Sequence, residues 1–131
     1  MSYLGILVAA IAAYGFGAIW YMLLAKHWVK AAGVATDDNG QPVNKGDPIP
    51  YIVAFVCCLL MAAMMRYVFA QIGVRGMGQG LIGGFAIGLF FAAPWLTTCY
   101  MFAGRPKKLI FIDGGYAVGG STLAGLVLTL L

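Results

Sequence analysis

The sequence predicts an all-α membrane protein: four transmembrane helices in a close-packed bundle, with both termini on the non-cytoplasmic side. Three observations predict it. The first is where charge is missing. No charged side chain lies between Ser2 and Ala25 or between Gly80 and Phe102; Arg66 is alone between Ile49 and Ile72, and Asp113 between Leu109 and Leu131. Each window is 23 or 24 residues long, and a hydrocarbon core of about 30 Å needs roughly 20 helical residues at about 1.5 Å each. The second is composition. At 63% hydrophobic and 9% charged residues, a soluble domain of this length could not hide its apolar surface, so the bilayer must act as solvent. The third is a small residue at every fourth position in all four windows, the pattern by which helices approach closely in lipid.

The elements follow in order. The opening Met-Ser-Tyr-Leu-Gly lacks the basic region of a secretory signal and leads into an apolar run too long for one, so a retained first helix is expected over about 2–25. Its small-residue stripe is Gly5, Ala9, Ala13 and Gly17. Lys26 to Lys30 is expected to extend that helix into the interface with Trp28 at headgroup level. The loop 26–48 is the single sizeable polar stretch, dense in turn formers from Thr36 to Pro42. Asp47-Pro48 then caps and starts the second helix, about 49–72, with Ala54, Cys58 and Ala62 on one stripe. A Gly-rich turn from Gly73 to Gln79 leads to the third helix, about 80–102. Its stripe, Gly76, Gly80, Gly84, Gly88 and Ala92, is the longest, which places this helix centrally or at a subunit contact. The basic turn Ala103 to Lys108 forces an antiparallel hairpin with the fourth helix, about 109–131, where Gly115 and Gly119 form the stripe. The whole chain, 1–131, reads as a single transmembrane domain with no extramembrane catalytic module.

Charge sets the expected orientation. The first and third loops share a side and hold Lys26, Lys30, Lys45, Arg105, Lys107 and Lys108, against Arg75 and Arg66 on the other. Six against two places those loops in the cytoplasm, and acidic residues count little in this rule. The formal net charge of +4 is spread among loops rather than gathered on one face, so no nucleic-acid partner is expected. Cys57, Cys58 and Cys99 all fall in apolar windows, where adjacent cysteines on a helix are poor disulfide partners and an odd count frames no zinc site. His27 has no second ligand at metal spacing. No nucleophile–base set, phosphate-cradling loop or paired carboxylates can be assembled. No metal, cofactor or enzymatic activity is expected.

The exceptions to emptiness carry the functional candidates. Asp113 lies four residues past Leu109, roughly 6 Å of rise inside the boundary, and shares a helix face with Tyr116 and Gly120. An intramembrane acid marks a proton or cation site, or a buried partner of a base; Arg105, Lys107 and Lys108 are near enough in sequence to be that base and hold the hairpin shut. Arg66 lies far into the second helix, where its stem can snorkel to the outer interface. With both helices spanning, Arg66 and Asp113 are roughly 20 Å apart in depth and cannot pair. Pro94 removes the hydrogen bond that would reach the Phe90 carbonyl. Thr97 and Thr98 follow it and can re-satisfy freed backbone groups. With Trp20, Tyr21 and Tyr116 at similar depth, the kink could open a cytoplasm-facing cavity, or it could be a structural kink beside an aromatic belt.

The segment Gly104-Arg105-Pro106-Lys107-Lys108-Leu109-Ile110-Phe111-Ile112-Asp113-Gly114-Gly115-Tyr116 resembles the last-hairpin motif of the small bacterial membrane proteins of domain-of-unknown-function family 1761, in which an Arg-Pro turn leads into a helix bearing Ile-Asn-x-Gly-Tyr. Trp20-Tyr21 followed by Lys26 and Trp28 is similar to that family's first-helix ending. There are two departures: Met22-Leu23 stand where the family has Ser-Pro, and Asp113 stands where it has asparagine. The resemblance implies a protein of the bacterial cytoplasmic (inner) membrane and a hydrogen-bonding position at Asp113. It implies no activity.

Two functions remain open at this stage. One is assembly through the stripes (Ala13, Gly17, Gly80, Gly84, Gly88, Gly115, Gly119), as a homo-oligomer or an accessory subunit of a larger membrane complex. The other is a small transporter or channel whose cytoplasm-facing solute or cation site is built from Asp113, Tyr116, Arg105, Thr97, Thr98 and Tyr21 beside the Pro94 kink.

Overall fold

The computed structural model describes residues 1–40, 42 and 46–131. Gln41 and Lys45, which the sequence assigns to the turn and to the basic face of the first loop, lie outside the described residues. The described chain is helical: α1 (Tyr3–Leu23), α2 (Ala25–Ala32), α3 (Ile49–Ile72), α4 (Gly76–Ile87), a π-turn (Gly88–Ala92), α5 (Ala93–Phe102) and α6 (Lys107–Leu130). Four helical stretches are long and apolar enough to cross a membrane: α1, α3, the continuous run Gly76–Phe102 and α6. Their outer surfaces are covered by large apolar side chains such as Leu60, Met64, Phe90, Phe91 and Trp95, which is the inside-out arrangement that a lipid solvent permits.

The expected extension of the first helix is replaced by a break. Leu24 leaves helical geometry at φ −106°, ψ 16°, and α2 starts immediately after it as a separate, short amphipathic helix. Lys26, His27 and Lys30 are exposed while Trp28 and Val29 are half-buried. A straight continuation would carry Trp28 out along the axis of α1; the break lets α2 turn its apolar side back onto α6 and α1. Trp28 therefore packs edge-on against Tyr21, with ring centroids 6.2 Å apart.

The third helix begins at Gly76, four residues earlier than expected, and Pro94 is accommodated differently from the sequence expectation. Thr97 and Thr98 donate to the carbonyls of Ala93 and Pro94, one turn back on their own helix, and do not re-satisfy the Phe90 carbonyl. The adjustment is the wide π-turn, in which the Ala93 N–H reaches the Gly88 carbonyl. It leaves Pro94 within the first two residues of α5, where a missing N–H costs little.

The helix at the centre is α6 rather than the third span: it packs against α1, α2, α3, α4, the π-turn and α5. Glycine makes its seam with the third span possible. A Cβ on Gly84 would fall 2.2 Å from the Ser121 carbonyl oxygen, and one on Gly88 2.6 Å from the Val118 Cα; both obstacles are backbone, so only glycine fits. Towards α1 the small residues of α6 face large aromatics: Gly115 meets Trp20 and Gly119 meets Phe16. Ala9, Ala10, Ala13, Ala62, Phe69, Ala124 and Leu128 close the core between α1, α3 and α6. The two chain ends meet, with the Ser2 N–H donating to the Leu131 carbonyl. Arg66 sits at that same end, donating twice to the Met1 carbonyl at 2.9 and 3.2 Å and lying 4.1 Å over the Tyr3 ring.

Candidate functional site: a carboxylate clasped by two tyrosines

Asp113 lies in the second turn of α6, the end of the bundle opposite Arg66. Two tyrosines from different spans reach it. The Tyr21 hydroxyl, at the end of α1, donates to Asp113 Oδ1 at 2.5 Å, and the Tyr100 hydroxyl, near the end of α5, donates to Oδ2 at 2.6 Å. One carboxylate thus ties three helices together, with a phenol on each oxygen.

The local sequence explains the placement. The Gly104–Pro106 turn is tight because Gly104 takes φ 69°, and this turn returns the chain so that the last turn of α5 lies beside the first turns of α6. On α1, Gly17 opposes Tyr116: a Cβ there would approach the ring to 2.5 Å. The Tyr116 ring occupies that space, stacks on Phe16 at 6.4 Å and meets Tyr21 edge-on at 5.4 Å. Its hydroxyl is 3.5 Å from the Cys58 Sγ, which brings α3 into the same cluster. Trp20 donates its indole N–H to the Ile112 carbonyl at 2.8 Å, clamping α1 to the residue before Asp113. The Tyr21 ring is itself held edge-on by both Trp28 and Tyr116.

The basic residues near Asp113 in sequence point elsewhere. Arg105 donates to the Ala32 carbonyl at 2.8 Å, capping the C-terminal end of α2 where a cation is favoured. Lys108 Nζ is 2.8 Å from His27 Nδ1, and Lys107 is exposed. Among the described residues no ion pair reaches Asp113. Of the residues singled out from sequence, Asp113 and Tyr21 bond directly, and Tyr116 joins through Tyr21. Arg105 belongs to the α2 cap, and Thr97 and Thr98 to the helix after Pro94. Tyr100, Trp28 and Cys58 were not among the residues assigned to the candidate polar site. For Tyr100 the signal was present: the tight hairpin turn already brings residue 100 alongside the start of α6. For Trp28 and Cys58 it was not, because the break at Leu24 and the approach of α3 to α6 are tertiary facts.

The chemistry follows from the donor set. The carboxyl group in this apolar segment is held by two hydroxyl dipoles rather than by a cation among the described residues, so its oxygens are acceptors shared with neutral donors. Among the described residues no group of three or more histidines, cysteines or carboxylates could hold a metal ion.

The comparisons agree with the sequence resemblance. No curated protein and no solved structure matches the chain. Residues 4–129, nearly the whole chain, match the family described as "Protein of unknown function (DUF1761)", and the chain belongs to that family.

Proposed function

We propose that the protein is a non-enzymatic, multi-pass protein of the bacterial cytoplasmic membrane, with both termini outside, that works as a small cation-linked transporter. Asp113 is its exchange group. The observation that carries this is the clasp: an intramembrane carboxylate whose two oxygens are held by Tyr21 and Tyr100, with no described cation paired to it. Hydroxyl donors can be displaced one at a time, so an arriving cation gains carboxylate oxygens without first breaking an ion pair. The rings of Tyr21, Tyr116 and Trp28 suit a cation with apolar substituents as well as a bare one. The basic loops at this end favour the cytoplasm as the side to which the site opens. Asparagine at position 113 keeps an acceptor for one tyrosine and a donor for the other but carries no charge. The variant Asp113→Asn therefore tests the proposal: in cells that depend on the protein, cation uptake or cation resistance is lost. Unaltered phenotypes would remove the carboxylate as the exchange group.

Assembly is the second reading. The small-residue stripes offer it little support, since Gly80, Gly84, Gly88, Gly115 and Gly119 all meet groups of their own chain. What favours it is α3, which buries Cys58, Ala62, Met65 and Phe69 and leaves Ile52, Val56, Leu60, Met64 and Tyr67 exposed, a face that lipid or another protein could cover. A mass measured after gentle extraction that corresponds to a lone chain would end this reading.

A further inference from the structure

A second feature at the same end of the molecule plays no part in the clasp. An open groove of about 330 Å³ runs between the end of α1 and the start of α6, lined by Trp20, Leu24, His27, Lys108, Phe111 and Ile112. Its floor is apolar, and Phe111, 78% exposed, continues it onto the lipid-facing side of α6. Its mouth is basic. Lys108 Nζ and His27 Nδ1 are 2.8 Å apart, and an ammonium has no lone pair, so the lysine donates and His27 accepts through Nδ1. The imidazole proton then sits on Nε2. Two ammonium N–H groups of Lys108 and the Nε2–H of His27 remain as donors, both side chains being exposed. Lys26, Lys30 and Lys107 are exposed on the same two stretches of chain and add positive potential.

We propose that this groove binds one anionic phospholipid of the adjoining leaflet, its phosphate on Lys108 and His27 and an acyl chain along Leu24, Phe111 and Ile112. Charge complementarity and depth select this occupant. The groove passes from a basic mouth at the helix ends to an apolar floor on the membrane-facing surface, the same order in which a phospholipid presents headgroup and chain. Trp20 is held rigid on the Ile112 carbonyl, so it forms a fixed wall and a built-in reporter.

The test uses the full chain carrying Trp95→Phe, which removes a lipid-exposed indole and leaves Trp20 and Trp28 to report. The protein is placed in phosphatidylcholine bilayers containing a small fraction of either brominated phosphatidylglycerol or brominated phosphatidylcholine, and tryptophan quenching is measured. Phosphatidylglycerol should be preferred about fivefold, the scale of one well-placed basic side chain at a membrane surface. Lys108→Gln should abolish the preference, Lys108→Arg should keep it, and Lys30→Gln, away from the groove, should lower it only slightly. His27→Phe, a change outside the spans, should reduce it and serves if Lys108→Gln does not fold. Equal quenching by the two lipids would overturn the proposal. So would equal losses in Lys30→Gln and Lys108→Gln, which would mean diffuse surface charge. Full competition by soluble glycerol phosphate would also overturn it, because the site would then be for the free headgroup rather than for a lipid.

Discussion

At the scale of single residues, hydrogen bonding and charge at Asp113 are separable. Asp113→Ala leaves the hydroxyls of Tyr21 and Tyr100 without their acceptor, and an unsatisfied polar group in a half-buried site costs about 1–3 kcal/mol. Asp113→Asn can hold both tyrosines, one as donor and one as acceptor. In a thermal unfolding series in detergent, the alanine variant should therefore melt well below wild type and the asparagine variant close to it. Tyr21→Phe and Tyr100→Phe should each fall between them, losing one hydrogen bond of about 1 kcal/mol in a membrane setting. If Asp113→Asn were as unstable as Asp113→Ala, the clasp would depend on charge and not on hydrogen-bond geometry.

At the scale of elements, the decisive contact is the glycine seam between the third span and α6. Gly84 and Gly88 face backbone atoms of Ser121 and Val118, which cannot rotate away as a side chain can. Gly84→Ala must push two helices apart, and overpacking of this kind costs about 1–3 kcal/mol. Gly15→Ala, on α1 with nothing within 4 Å of the added carbon, should be neutral or slightly stabilising by helix propensity. Unfolding midpoints for the pair check this directly; equal effects would show that the seam is not as tight as it stands. Much at this scale was legible in the sequence. Gaps between charges mark four spans, and Asp47-Pro48, Gly73 and Arg105-Pro106 mark their ends, because lipid leaves a backbone no alternative to helix. The break at Leu24 was not legible: no proline or glycine stands there, and only the docking of Trp28 against Tyr21 reveals it. The π-turn was half legible. Pro94 announced a disturbance, but whether threonines or a wide turn would absorb it depends on Gly88 lying against α6.

At the scale of the whole molecule, the bundle is organised about α6, which the length of the third span's stripe did not suggest. A stripe records how closely a helix is approached, not how many partners approach it. The fourth helix collects them all because it presents small residues on two sides, Gly125 and Ser121 to the third span and Gly115 and Gly119 to α1. The ends of the bundle then differ in character. One joins the termini, with Arg66 on the Met1 carbonyl. The other gathers the clasp, the α2 cap and the basic groove within the first turns of α6. Candidate chemistry is concentrated there, and its visibility in the sequence was uneven. Asp113 stood out because a carboxylate in an apolar window is costly, whereas Tyr100 was marked only by its position before the hairpin turn.

The most direct test is made on the purified protein in sealed vesicles with an imposed pH gradient and a trapped pH-sensitive dye. Sodium, potassium or tetraphenylphosphonium ions are added outside, to wild type and to Asp113→Asn. Proton-for-cation exchange through the clasp predicts that at least one of these ions collapses the gradient in wild-type vesicles and that the asparagine variant, folded and inserted, fails to do so. A gradient that decays identically in wild-type, variant and protein-free vesicles with all three ions would contradict it.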